Sequence, residues 1–110
     1  MKMLIAGSRN IDNFDLSEYV SSDIELIITG GAKGIDSLAE RFADEHKISK
    51  LVLYPRYDLY KRGAPLKRNE LMVDIADIVL VIWDGKSSGS RYTINYARKQ
   101  NKKLVVINLQ

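Results

Sequence analysis

Ile27-Ile28-Thr29-Gly30-Gly31-Ala32-Lys33-Gly34-Ile35-Asp36 is the stretch whose reading decides the fold: an apolar strand runs into a glycine-rich turn and leaves as an amphipathic helix. The helix follows from spacing, because Ile35, Leu38, Ala39, Phe42 and Ala43 stand at i, i+3, i+4, i+7 and i+8 and make one apolar stripe. Gly30, Gly31 and Gly34 permit positive φ and close approach of a ligand, and the helix start beyond Ala32 offers unpaired N–H groups and a partial positive charge. An anion cradle is expected there, with phosphate as its natural occupant. The turn has neither P-loop spacing nor the Gly-x-Gly-x-x-Gly of dinucleotide folds. The same residues also suit a tight strand-to-helix turn in which Asp36 and Ser37 only favour a helix N-terminus.

Working outward, Lys2 to Ala6 reads as a strand that ends in Gly7-Ser8-Arg9. Leu16 to Val20 suits a short helix capped by Asp15 or Asp12, and Ile24 to Thr29 is the next strand. Lys50 to Tyr54 is a third strand stopped by Pro55, after which a tyrosine-rich basic loop is expected. Pro65 opens a helix to about Ile75, with Arg68 and Asn69 in its first turn and with Asn69, Met72, Val73 and Ala76 on one face. Ile78 to Trp83 is six apolar residues without alternation, as in a central strand covered on both faces. Asp84 to Ser90 is a second small-residue turn, leading into a helix through Ile94 and Ala97 and a last strand, Lys103 to Ile107.

Five strands alternating with four helices give an α/β fold, a doubly wound three-layer α/β/α arrangement with a five-stranded parallel sheet, in one domain over residues 1–110. Right-handed crossovers then place the turns at Gly7 to Arg9, Gly30 to Asp36, Arg68 and Asn69, and Asp84 to Ser90 on the carboxyl edge of the sheet. All four face one crevice, where open α/β sheets bind ligands.

Composition narrows the chemistry. The chain has no cysteine and one histidine, His46, so thiolate metal sites, disulfides and cysteine nucleophiles are excluded and no metal site is expected. No apolar run reaches membrane length and the start does not read as a signal peptide, which makes a cytoplasmic protein without membrane association the expectation. The net charge is +3, yet Arg56, Lys61, Arg62, Lys67 and Arg68 against Asp58 give Arg56 to Arg68 a local charge of +4. Interleaved with Tyr54, Tyr57 and Tyr60, this segment suits phosphate groups of a small ligand or a nucleic acid, or equally a solvated loop.

Four motifs in order, Ala6-Gly7-Ser8-Arg9, Thr29-Gly30-Gly31-Ala32-Lys33-Gly34-Ile35-Asp36, Ala64 to Val73 and Ala76 to Ser90, resemble the YspA/YpsA-like branch of the SLOG superfamily. These Rossmann-like domains are related to cytokinin-activating nucleosidases and to the DNA-processing protein DprA. The resemblance covers nearly the whole chain and implies a nucleotide or nucleotide-derived ligand, including the NAD and ADP-ribose type. It implies that Gly30, Gly31, Gly34 and Asp36 cradle phosphate or ribose, that Gly7, Ser8 and Arg9 border base or sugar, and that Ser87, Gly89 and Ser90 hold a second phosphate. Arg68 matches the arginine of the nucleosidases' Arg-Lys-x-x-Met signature, as Arg68-Asn69-Glu70-Leu71-Met72 keeps both ends of it. The departure is Thr93, which stands where those enzymes carry a catalytic glutamate, and threonine is no acid or base at neutral pH.

Three functions stay open on this basis. The favoured one is a nucleotide-ligand sensor with no firm cofactor, binding through the four turns with Asn69 and Asp84 included. The second is a phosphoribohydrolase-like enzyme using Arg68 with Asp36, Glu70 or Asp84, and the third is a single-strand nucleic-acid binder using the basic loop. A homodimer or higher homo-oligomer is compatible with each.

Overall fold

A computed structural model describes residues 1–109. Its elements are β1 (Lys2–Gly7), β2 (Leu26–Thr29), α1 (Ile35–Glu45), β3 (Ser49–Val52), α2 (Tyr57–Tyr60), a 3-10 turn (Lys61–Gly63), α3 (Ala64–Ile75), β4 (Ile78–Trp83), α4 (Ser88–Lys99) and β5 (Lys103–Asn108). The strands form one all-parallel sheet in the order β3-β2-β1-β4-β5. The three-layer α/β fold expected from the sequence is the fold observed.

Strand alternation sends Met3, Ile5, Ile27, Leu80 and Ile82 to one face, where α1 buries Ile35, Ala39 and Ala43 against them. Leu4, Ala6, Ile28, Val79 and Val81 point the other way and meet Met72, Val73 and Ala76 at α3 with Ile94 and Ala97 of α4. Each fully buried side chain such as Leu4, Ile5 or Leu80 contributes about 1.5–3 kcal/mol by leaving water. From β2 to β3 the chain crosses on the α1 face; from β3 to β4 and on to β5 it runs the opposite way along the sheet and crosses on the other face. Reversing direction and face together keeps one hand throughout, and the reversal leaves a crevice between the carboxyl ends of β1 and β4. All six residues of β4 are buried, as its apolar run requires, although β1 takes the middle place in the sheet.

Two local expectations are corrected. Residues 16–20 form turns, not a helix: the Asp15 carboxylate accepts the N–H and hydroxyl of Ser17, and Tyr19 N–H reaches only the Leu16 carbonyl. Five residues give too few hydrogen bonds to offset helix nucleation, and local Asp–Ser bonding competes with them. The apolar spacing there reflects burial of Leu16 and Ile24 by an irregular β1–β2 connection that covers the α1 face. Conversely, the basic loop after Pro55 winds into α2 and the 3-10 turn, which bury no side chain. Among the described residues no helix is long and apolar enough to cross a membrane.

Candidate functional site

The crevice at the β1/β4 reversal is a cleft of about 520 Å³ lined from the β1, β2 and β4 turns and from α3. Gly7 lets β1 reach it, because a Cβ there would lie 1.9 Å from the Ile82 carbonyl oxygen and 2.7 Å from Ile35. Ser8 follows, buried, with its Oγ 2.9 Å from Ser87 Oγ and accepting the Asp84 N–H at 3.0 Å. One hydroxyl thus pins together the two turns that flank the reversal. Arg9 and Asn10 extend along the cleft wall, and Asn10 Nδ2 donates to Asp84 Oδ2 at 3.4 Å.

Asp84 organises the β4–α4 turn. Its Oδ1 accepts the N–H groups of Lys86 (2.8 Å) and Ser87 (3.0 Å) and the Ser87 hydroxyl (3.2 Å). The backbone donors, Lys86 first, hold its pKa down to about 2, so Asp84 is a permanent carboxylate that shapes the turn. No side chain caps α4, and its opening residues Ser88, Gly89 and Ser90 line the cleft. The first turn of α4, whose N–H groups have no partner within the helix, thus borders the cavity, as does Arg9.

The β2–α1 turn is built differently from the sequence expectation. Its donors are engaged within the protein: Ala32 N–H bonds Asp36 Oδ2 at 3.2 Å, and Ile35 N–H bonds the Ser8 carbonyl at 3.2 Å. Ala32 and Asp36 line the cleft, whereas Gly30, Gly31 and Gly34 do not. These glycines serve packing, since a Cβ on Gly30 would meet Arg68 Nη1 at 2.6 Å and one on Gly31 would meet the Tyr54 ring at 2.4 Å. Asp36 is buried, and its carboxyl is pushed above the usual carboxylate range by that burial, opposed by the Ala32 N–H and the nearby Arg68. Thr29 Oγ1 lies buried beside it, outside hydrogen-bond geometry yet close enough to favour the charged form of the Asp36 carboxyl.

On α3, Pro65, Leu66, Arg68, Asn69 and Met72 form the remaining wall. Arg68 Nη1 donates to the carbonyls of Gly30 (2.6 Å) and Leu53 (3.1 Å), and its Nε donates to Asn69 Oδ1 (2.9 Å). The guanidinium therefore ties the ends of β2 and β3 to α3 while it lines the cleft. Asn69 is buried, and with Oδ1 held by Arg68 its Nδ2 amide is left to the cavity. Glu70, the third candidate carboxylate, lies outside the cleft: the Tyr92 hydroxyl donates to it and lowers its pKa, and Lys67 Nζ stands 3.6 Å away. Thr93 does line the cleft, its hydroxyl donating to the Gly89 carbonyl at 3.1 Å.

Of the residues singled out in the sequence, Gly7, Ser8, Arg9, Ala32, Asp36, Arg68, Asn69, Asp84, Ser87, Gly89 and Ser90 meet in one cleft. Asn10 and Leu66 carried no functional reading in the sequence, and Met72, read there as an apolar-face residue and as the end of the Arg68 signature, also lines the cleft. Met72 was within reach, because Pro65, Asn69 and Met72 are spaced i, i+4 and i+7 along α3.

No family model matches the chain, and no solved structure matches it. A stretch of 33 residues, 30% of this chain, is 46% identical to part of the uncharacterized SPbeta prophage-derived protein YoqJ of Bacillus subtilis (strain 168). The matched stretch spans 19% of that protein's length.

Proposed function

We propose that this chain is a binding or sensing module for a nucleotide or nucleotide-derived ligand, held in the cleft between β1 and β4. The observation that carries this reading is the uncapped start of α4, which opens into the cleft at the sheet's reversal point with Arg9 on the same wall. A phosphate at Ser87 to Ser90 meets the backbone N–H groups of Ser88 to Ser90, the Ser87 N–H being held by Asp84, while Asp36 and Asn69 offer an acceptor and a donor to the sugar or base. Both turns hold a carboxylate on backbone N–H groups, Asp84 on Lys86 and Ser87 and Asp36 on Ala32, but the opening residues of α4, Ser88 to Ser90, line the cleft whereas Gly34 and Ile35 at the start of α1 do not, so α4 suits a bound anion better.

Binding is favoured over glycosidic cleavage by the state of the carboxylates. Asp84 is locked ionised against two backbone N–H groups, Glu70 lies outside the cleft, and Thr93 offers only a hydroxyl. Asp36 alone combines cleft exposure with a raised pKa, so any hydrolysis of an N-glycosidic bond would depend on it.

Differential scanning with nucleoside mono- and diphosphates, NAD and ADP-ribose tests the reading. A ligand at a hundredfold excess over its Kd stabilises the folded state by about 2.7 kcal/mol and raises the melting temperature accordingly. A folded protein whose melting curve none of these moves would falsify the nucleotide reading.

Gly89→Ala separates site from fold. A Cβ at Gly89 meets nothing within 4 Å, so alanine in this helical turn should stabilise the protein by about 0.5–1 kcal/mol. Because Gly89 lines the cleft, the same methyl group should weaken phosphate-ligand binding. Chemical denaturation and calorimetric titration of one variant read both effects; unchanged affinity places the phosphate away from α4.

A further inference from the structure

We propose that the chain associates with a second copy of itself, the apolar, cationic projection formed by α2 and the 3-10 turn of one copy seating in the groove between residues 13–17 and α1 of the other. Among the described residues, six of the eight large exposed hydrophobics fall between Tyr54 and Leu71. The projection at residues 57–63 buries no side chain within its own chain, and Leu59 is 60% and Tyr60 43% exposed. The fold gains nothing from apolar groups placed there, which is the mark of a surface that meets a partner.

Charge selects the partner. Within this segment Arg56 is matched by Asp58 at 2.7 Å and Lys67 by Glu70 at 3.6 Å, which leaves Lys61 and Arg62 without carboxylates among the described residues. Two free cations are few for a nucleic-acid backbone, so the exposed rings of Tyr54, Tyr57 and Tyr60 would stack on bases without the phosphate contacts that hold a strand. The complementary surface lies on this same chain. Between Asn10 and Glu25 stand Asp12, Asp15, Glu18, Asp23 and Glu25 with no Lys or Arg, and Asp12, Asp15 and Glu18 are exposed.

That acidic segment borders a groove of about 240 Å³ with Phe14, Leu38 and Phe42 in its walls. Asp15 and Glu45 stand at its rim with Arg41 as the one guanidinium among them. A leucine or tyrosine entering it would bring Lys61 and Arg62 to those carboxylates. The two surfaces cannot meet within one copy, because α2 packs beside α3 whereas the groove lies on the α1 face. Association with a second copy satisfies both at once.

Sedimentation velocity over a range of concentration and salt tests this on the intact chain. Wild type is expected to associate reversibly, more weakly as salt rises. The variants Lys61→Glu/Arg62→Glu and Asp15→Lys/Glu45→Lys, each checked for native circular dichroism, should each weaken self-association by about tenfold or more. Mixed in equal amounts they place opposite charges across both contacts again, and association should return. A wild type monomeric at every concentration overturns the proposal, as does a mixture that stays monomeric. Binding of single-stranded oligonucleotides by a monomeric wild type, lost in Lys61→Glu/Arg62→Glu, overturns it in favour of a nucleic-acid surface.

Discussion

Gly34→Ala is expected to destabilise the protein by about 4 kcal/mol or more, a large share of the ~5–15 kcal/mol that holds an ordinary domain folded. Two independent causes act at this position. Gly34 has φ 77° and ψ −129°, a conformation closed to a residue with a Cβ and costing about 1–3 kcal/mol when forced. The added carbon would also lie 2.3 Å from the Ser8 carbonyl oxygen and 2.6 Å from that of Arg9. Both neighbours are backbone, and Ser8 O is held by the Ile35 N–H, so relief of the clash pulls β1 away from the start of α1. Urea unfolding measures the loss, with Gly63→Ala as the control: Gly63 has φ −80° and a Cβ there meets nothing within 4 Å. A loss under about 1 kcal/mol for Gly34→Ala would show that the β1 turn is free to move, against the packing described.

Gly34 also shows why the fold was legible in the sequence while the site was legible only in part. Elements with strong periodicity or a long apolar run, namely α1, α4 and β4, were recoverable because their pattern is fixed by burial on one face or two, while α3 was marked by Pro65 near its start. The segment at residues 16–20 carried apolar spacing for a different reason, packing of Leu16 under an irregular connection, and spacing alone does not separate these causes. At the site, topology brought the right turns together, since every parallel strand delivers its carboxyl end to the same edge. What a glycine-rich turn does with its donors is a tertiary matter. The N–H groups of Ala32 and Ile35 are taken by Asp36, four residues on, and by Ser8, from another strand, and no local pattern marks either bond. Likewise Arg68 stands among first-turn residues in the sequence, and its reach to Gly30 and Leu53 depends on how α3 lies across the sheet.

Arg68→Ala is therefore expected to cost about 2–4 kcal/mol of stability even without ligand. The substitution leaves the Gly30 and Leu53 carbonyls and Asn69 Oδ1 without their donor, and deprives Asp36 of its nearby positive charge. The last effect can be isolated with Asp36→Asn. Burial raises the folded-state pKa of Asp36 above its unfolded value, so the group favours folding while protonated, and that contribution is lost as pH rises through the folded pKa. At pH 7 Asp36→Asn should accordingly stabilise the wild type, and the gain should fade as pH falls below about 4, where the acid is protonated in both states. In the Arg68→Ala background the isolated carboxylate is costlier, so the same substitution should gain more at pH 7. Urea unfolding of the four proteins at pH 7 and near pH 4 completes the cycle. An Asp36→Asn gain that is equal in both backgrounds would mean that Arg68 acts on the fold through the carbonyls of Gly30 and Leu53 alone, and that the charge beside Asp36 contributes nothing.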